Sequence, residues 1–204
     1  TRADLADEAI RLGRLLADLL PDPEALGLLA LMLFQDSRRA ARTAPDGDLV
    51  LLADQDRARW DRARIAEASA VLARAVAGGR IGAFTLQAAI AELHAVAPSA
   101  AATDWGAIVG LYDLLARLDP SAVVRLNRAV AVAERDGPEA GLALVVALTD
   151  SGPLAGYHLA WSARADLLRR LGRHHEARAA YARALDLATQ EPERRFIERR
   201  LAAI

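Results

Sequence analysis

The chain has 204 residues, a net charge of −1, no Cys, and 53% hydrophobic but only 4% aromatic side chains; all 26 basic residues are Arg. That length can bury a sizeable core, the near-zero charge gives no overall attraction to nucleic acid or anionic lipid, and the lack of Cys excludes disulfides, thiolate catalysis and Cys-built zinc clusters. A core built of Ala, Leu and Val, two of which are the strongest helix formers, predicts an all-α chain.

The chain enters a helix almost at Thr1, which reads as an excised C-terminal domain or a proteolytic fragment. Apolar residues recur at helical spacing over Leu5–Leu20 (Leu5, Ala9, Leu12, Leu15, Leu16 and Leu19) and predict a first helix stopped by Pro21. A second helix is predicted from about Pro23 to Arg42, with Asp22 as its cap. Its Ala25–Phe34 stretch is apolar nearly all round and belongs in the interior; at ten residues it is too short to span a membrane. No signal peptide is visible, so the cytoplasm is the expected compartment. The longest irregular connection follows, with a turn at Asp46-Gly47 and an extended piece at Leu49–Leu52.

Asp61–Ala77 reads as a third helix closed by Gly78-Gly79. From Phe84 the helices come in pairs. Phe84–Ala97 is followed by Trp105–Leu118, Ser121–Arg135 by Pro138–Leu148, and Tyr157–Leu171 by His174–Ala188, with Gly172 in the last turn. Pro192–Ala203 reads as a polar terminal cap. In the last pair Ala177-x3-Tyr181 places a small residue and then an aromatic on one helix face, and Trp161, Arg164, Ala165 and Leu168 keep the companion spacing. These are marks of the tetratricopeptide pattern. Ala140 and Ala177, taken as equivalent, lie 37 residues apart, so the repeat is divergent. The fold expected is antiparallel helical pairs stacked as a tetratricopeptide-like right-handed array. Residues 1–82 form a non-repeat helical section and 83–204 the pairs, in one continuous domain.

None of the four histidines, His94, His158, His174 and His175, has metalloprotease spacing. His94 and His158 read as core histidines held by hydrogen bonds, with a ligand role as the alternative. Asp54, Gln55, Asp56 and Trp60 form an acidic cluster beside an aromatic; a capping Asp54 or Asp56 and an anchoring Trp60 account for it without catalysis, and the loop they form is a candidate surface for partner contact. Gly78-Gly79 and Gly82 lack the strand and the GK[ST] of a phosphate loop. Asn127, Arg128, Ser162, Arg164 and Asp166 fall on first helices of successive pairs, the helices that line the concave side of such arrays and can hold a partner there. No metal or cofactor site and no enzyme activity is expected.

Five segments together resemble one family: ALGLLALMLFQDSRRAAR, DGDLVLLADQDRARWDRARIAE, LQAAIAELHAVAPSAAATDWGAIVGLYDLL, LNRAVAVAERDGPEAGLAL and GYHLAWSARADLLRRLGRHHEA. They are similar to the extracytoplasmic-function (ECF) sigma factors that carry a tetratricopeptide-like C-terminal extension. Phe34-Gln35 replaces the leucine and histidine more usual there, so a histidine-dependent role of that helix does not transfer; Trp161 is bulkier than usual. The resemblance implies a regulatory domain acting through protein contacts with sigma region 2 and region 4 of the same polypeptide or with the RNA polymerase core. Promoter DNA would be touched only by those other regions, and no membrane is involved. A ligand- or peptide-sensing module using a groove near His94, His158 and Arg164 is the alternative.

Overall fold

Ten α-helices and no β-strand occupy residues 3–204, which the computed structural model describes. The predicted all-α fold of packed adjacent helices is present. The chain divides into two compact units. The first contains the described part of Thr1–Thr43 and Val50–Asp119; the second contains Ala44–Leu49 and Pro120–Ile204.

In the first unit, α1 (Ala3–Leu19), α3 (Arg62–Ala77) and α4 (Ala83–Val96) all pack on α2 (Pro23–Ser37), and α5 (Trp105–Leu118) packs on α4. The all-round apolar sequence of α2 explains its central place: Leu26, Leu29, Ala30, Leu33 and Phe34 are all buried. Asp22 caps it, accepting from the Glu24 N–H at 2.9 Å. The helix stops at Ser37 instead of reaching Arg42. The Ser37 carbonyl accepts from the Asp61 N–H (2.8 Å), the Ala41 N–H turns to the Arg38 carbonyl (3.0 Å), and a 3₁₀ turn, Arg39–Ala41, follows.

The leucine face predicted for α1 is not the face it buries. Ile10 and Ala17 are buried, and Gly13 lies so close to α2 that an added Cβ would meet the Met32 Cε at 2.4 Å. Leu5, Leu12, Leu16 and Leu19 stay exposed. Small residues let α1 approach α2, and this close approach prevails over the larger leucine surface.

At the start of α4, Gly82 has no side chain to act as a cap, and Glu24 of α2 does so instead. Its Oε2 accepts from the Phe84 N–H at 2.8 Å; its Oε1 accepts from the Thr85 N–H at 3.0 Å and the Thr85 hydroxyl at 2.8 Å. Ala88 and Ala95 of α4 share one apolar cluster with α2 and α3.

The second unit is a sequential stack: α6 (Ala122–Asp136), α7 (Pro138–Thr149), α8 (His158–Arg170), α9 (His174–Leu187) and α10 (Glu191–Ala202). Gly137 and Gly172 make the tight turns of the two pairs with φ of +100° and +72°, a region open to Gly at little cost. Gly141 is the fourth residue of α7, as Ala177 is of α9, and both are buried. Gly141, not Ala140, is therefore the counterpart of Ala177. The reason is packing: a Cβ on Gly141 would sit 2.4 Å from the Ala133 Cβ and 2.8 Å from the Ala129 carbonyl oxygen of α6. Tyr181 is 1% exposed at the centre of this core. Only Ile197 of α10 is buried, which suits a terminal cap.

The Asp46-Gly47 turn forms as predicted, with Gly47 at φ +86° and its N–H bonded to the Ala44 carbonyl at 2.9 Å. Beside it Asp48 accepts from the Arg195 Nε–H at 3.0 Å and also pairs with Arg199, tying residues 44–49 to α10. Leu51 is extended, but Leu52–Asp54 closes into a 3₁₀ turn, shortening the predicted extended piece.

Candidate functional site

The sequence-selected residues fall into two sets. Asp54, Gln55, Asp56, Trp60 and His94 belong to the first unit; Asn127, Arg128, His158, Ser162, Arg164 and Asp166 belong to the second.

The first set is built by the 54–60 loop and the C-terminal end of α4. Asp56 caps the 3₁₀ turn Arg57–Arg59, its Oδ1 accepting from the Ala58 N–H at 2.9 Å. The cap of α3 is Asp61, which accepts from the Arg64 N–H at 2.9 Å; neither Asp54 nor Asp56 fills that place. Position decides this, because Asp61 directly precedes the first helical residue. Asp54 is exposed. Gln55 is buried and donates to the Val50 carbonyl at 3.1 Å. Trp60 anchors the loop at 3% exposure. Arg57 stacks over its ring at 4.4 Å and donates to the His94 and Ala97 carbonyls at 2.7 and 2.9 Å, closing the end of α4. His94 meets the Trp105 ring edge-on at 5.2 Å. Burial, with the nearby Arg38 and Arg57 charges, pushes His94 down to about 4, so it is neutral at pH 7.

Between α2, α4 and this loop lies a small cavity of about 30 Å³, lined by Phe34, Gln35, Arg38, Leu52, Trp60, Ala91, His94 and Ala95. Arg38 is the residue that the sequence reading missed. Burial and the neighbouring Arg42 push it down to about 10. Its sequence signal is an Arg with no acidic residue three or four places away, whereas Arg39 has Asp36. A larger groove of about 340 Å³ runs between α1 and α2 over Ala9, Ile10, Leu31 and Met32, with Gln35 common to both.

In the second unit Arg128 and Arg164 occupy the same place, the seventh residue, in α6 and α8. Arg164 pairs with Asp150 just past α7, donates to the Thr149 hydroxyl at 3.2 Å and lies 5.1 Å over the Trp161 ring. These contacts fasten the end of α7 to α8. Asp166 accepts from Arg169 at 2.8 Å, while Asn127 is exposed and Ser162 half-buried. His158 Nε2 lies 3.1 Å from the Glu193 carboxylate, joining α8 to α10. His174 and His175 are exposed. Among the described residues no group of three or more His, Asp and Glu is placed to hold a metal ion, and no helix is long and apolar enough to cross a membrane.

By fold, then, this is an all-α array of packed helical pairs whose polar side chains mainly fasten helix ends. Residues 1–76 match the model of a family of unknown function (DUF6596). The chain is 51% identical over 200 residues to an uncharacterized protein of Rhizobium meliloti (strain 1021). That match covers 98% of this chain but 47% of the relative, so the chain spans about half the length of the curated relative it matches. No solved structure matches.

Proposed function

We propose that this helical array is the regulatory C-terminal domain of an ECF sigma factor and acts by docking on the sigma region 2 and region 4 domains of its own polypeptide. The observation that carries the reading is the uncovered leucine seam of α1. Leu5, Ala9, Leu12, Leu16 and Leu19 alternate by four and three residues, the spacing by which one helix seats another. Leu5 is 60% and Leu19 77% exposed, on a helix whose neighbouring face, with Ile10 and Ala17, is already packed on α2. The sequence resemblance names the occupant, and the R. meliloti relative, about twice the length of this chain, is consistent with a larger polypeptide.

The test is reporter transcription from the full-length factor, from a form truncated before Thr1, and from a Leu12→Asp, Leu16→Asp double variant. Both leucines are exposed, so these changes leave the core intact. The expected result is that truncation and the double variant shift promoter output in the same direction. Unchanged output in both overturns the proposal. So does a chain that dimerises through the seam on its own, because a second copy would then be the occupant.

A ligand-sensing module is the second reading, favoured by one observation: the small cavity lined by His94 and Arg38.

A further inference from the structure

Charge in the first unit is mostly balanced locally. Arg14 pairs with Glu67, Arg39 with Asp7 and Asp36, Arg64 with Asp36, and Arg80 with Asp22. Around the small cavity this balance fails. Among the described residues Arg38 has one polar partner, the neutral Gln35 amide oxygen, and Arg42 has no carboxylate partner. Arg57 spends its hydrogen bonds on the carbonyls of α4. A guanidinium drawn out of water without a counter-charge is costly. The Trp60 indole Nε1–H is a second unmet group: Trp60 lines the same cavity, is 3% exposed, and finds no acceptor among the described residues. Buried indole N–H groups are ordinarily hydrogen-bonded.

A fork of N–H donors and one further N–H, in a cavity rimmed by Phe34, Leu52 and Ala91, is the complement of a carboxylate. Size points the same way. About 30 Å³ is roughly twice the volume that admits one water-sized atom, enough for a carboxylate head group.

We propose that this cavity is a carboxylate-binding site, in which Arg38 holds the two oxygens, the Trp60 indole N–H donates to one of them, and Arg42 adds positive charge nearby. The body of the ligand stays outside. It is either a small organic acid or a peptide carrying an acidic side chain, and the two share this anchoring chemistry. The site does not depend on the transcriptional reading: binding to the isolated chain and promoter output succeed or fail separately.

The test follows the Trp60 indole N–H in the nitrogen-15 spectrum of the 204-residue chain, assigned by Trp105→Phe and Trp161→Phe. Sodium succinate forms one arm and an N-acetyl-glutamate amide peptide the other, both at constant ionic strength. The expected result is a saturable shift of the Trp60 signal, with Kd raised about tenfold by Arg38→Gln and about threefold by the exposed Arg42→Gln. Should Arg38→Gln fail to fold, Arg42→Gln decides. Tighter binding by succinate identifies a small acid; tighter binding by the peptide identifies an acidic side chain. Three results overturn the proposal: no saturation in either arm up to about 50 mM, a shift that the folded variants leave unchanged, or inorganic phosphate binding as tightly as succinate.

Discussion

Gly27→Ala and Gly110→Ala are the same chemical change in helix interiors, and the structure gives them opposite signs. In an open helix the change stabilises by about 1 kcal/mol, because Ala loses less backbone freedom on folding. Gly110 in α5 meets nothing within 4 Å of its added Cβ, so the full gain is expected there. Gly27 in α2 faces the backbone of α4: a Cβ would sit 2.6 Å from the Thr85 nitrogen and 2.9 Å from its Cα. Those atoms are held by Glu24, so relief requires α4 to move as a whole. Overpacking of this kind costs about 1–3 kcal/mol, with the upper part expected against backbone, and outweighs the propensity gain. The net expectation is about 1–2 kcal/mol lost for Gly27→Ala and about 1 kcal/mol gained for Gly110→Ala. For a chain of this size each kcal/mol moves Tm by about 2–4 °C, well within reach of thermal melts followed by circular dichroism. Equal signs for the two variants would refute the helix-crossing geometry of the first unit.

Glu24→Ala removes the cap of α4 and leaves two N–H groups without their carboxylate acceptor, an expected loss of about 2 kcal/mol in urea unfolding, with Glu24→Gln recovering part of it. His94 is depressed in the folded chain to about 4, below its unfolded value, so its contribution is complete above about pH 6.5 and is lost as pH falls toward 4. The His94→Gln variant should therefore show a flatter stability profile over that window, and a His94 ring that titrates near 6.5 in the folded chain would contradict its burial. Asp48→Asn weakens the tie between residues 44–49 and α10, so limited proteolysis should cut that loop faster, while an unchanged rate would mean that Arg195 and Arg199 do not hold it.

What the sequence could reveal was set by near neighbours along the chain. Asp22 acts as a cap within two residues of the group it binds, and Gly137 and Gly172 turn the chain where their neighbours end. Such signals are local, and so they are readable. Contacts between distant residues were not. Glu24 caps a helix 60 residues away, and Asp48 meets an arginine 147 residues away; no spacing rule announces either. Periodicity also misled on α1. Leucines at helical spacing mark an apolar face but do not say whether it is covered, and Ile10, Gly13 and Ala17 give the closer approach to α2. Of the candidate site, Trp60 and His94 were visible as residues, but the cavity that joins them to Arg38 depends on how α2, α4 and the loop pack.

Docking of the sigma domains on the α1 seam is open to direct test. The most direct measurement is calorimetric titration of the 204-residue chain with a separately produced region 2–region 4 fragment. Docking on the seam predicts saturable one-to-one binding that Leu12→Asp, Leu16→Asp weakens by at least about tenfold, or about 1.4 kcal/mol. Absence of binding, or binding that the double variant leaves unchanged, would contradict it.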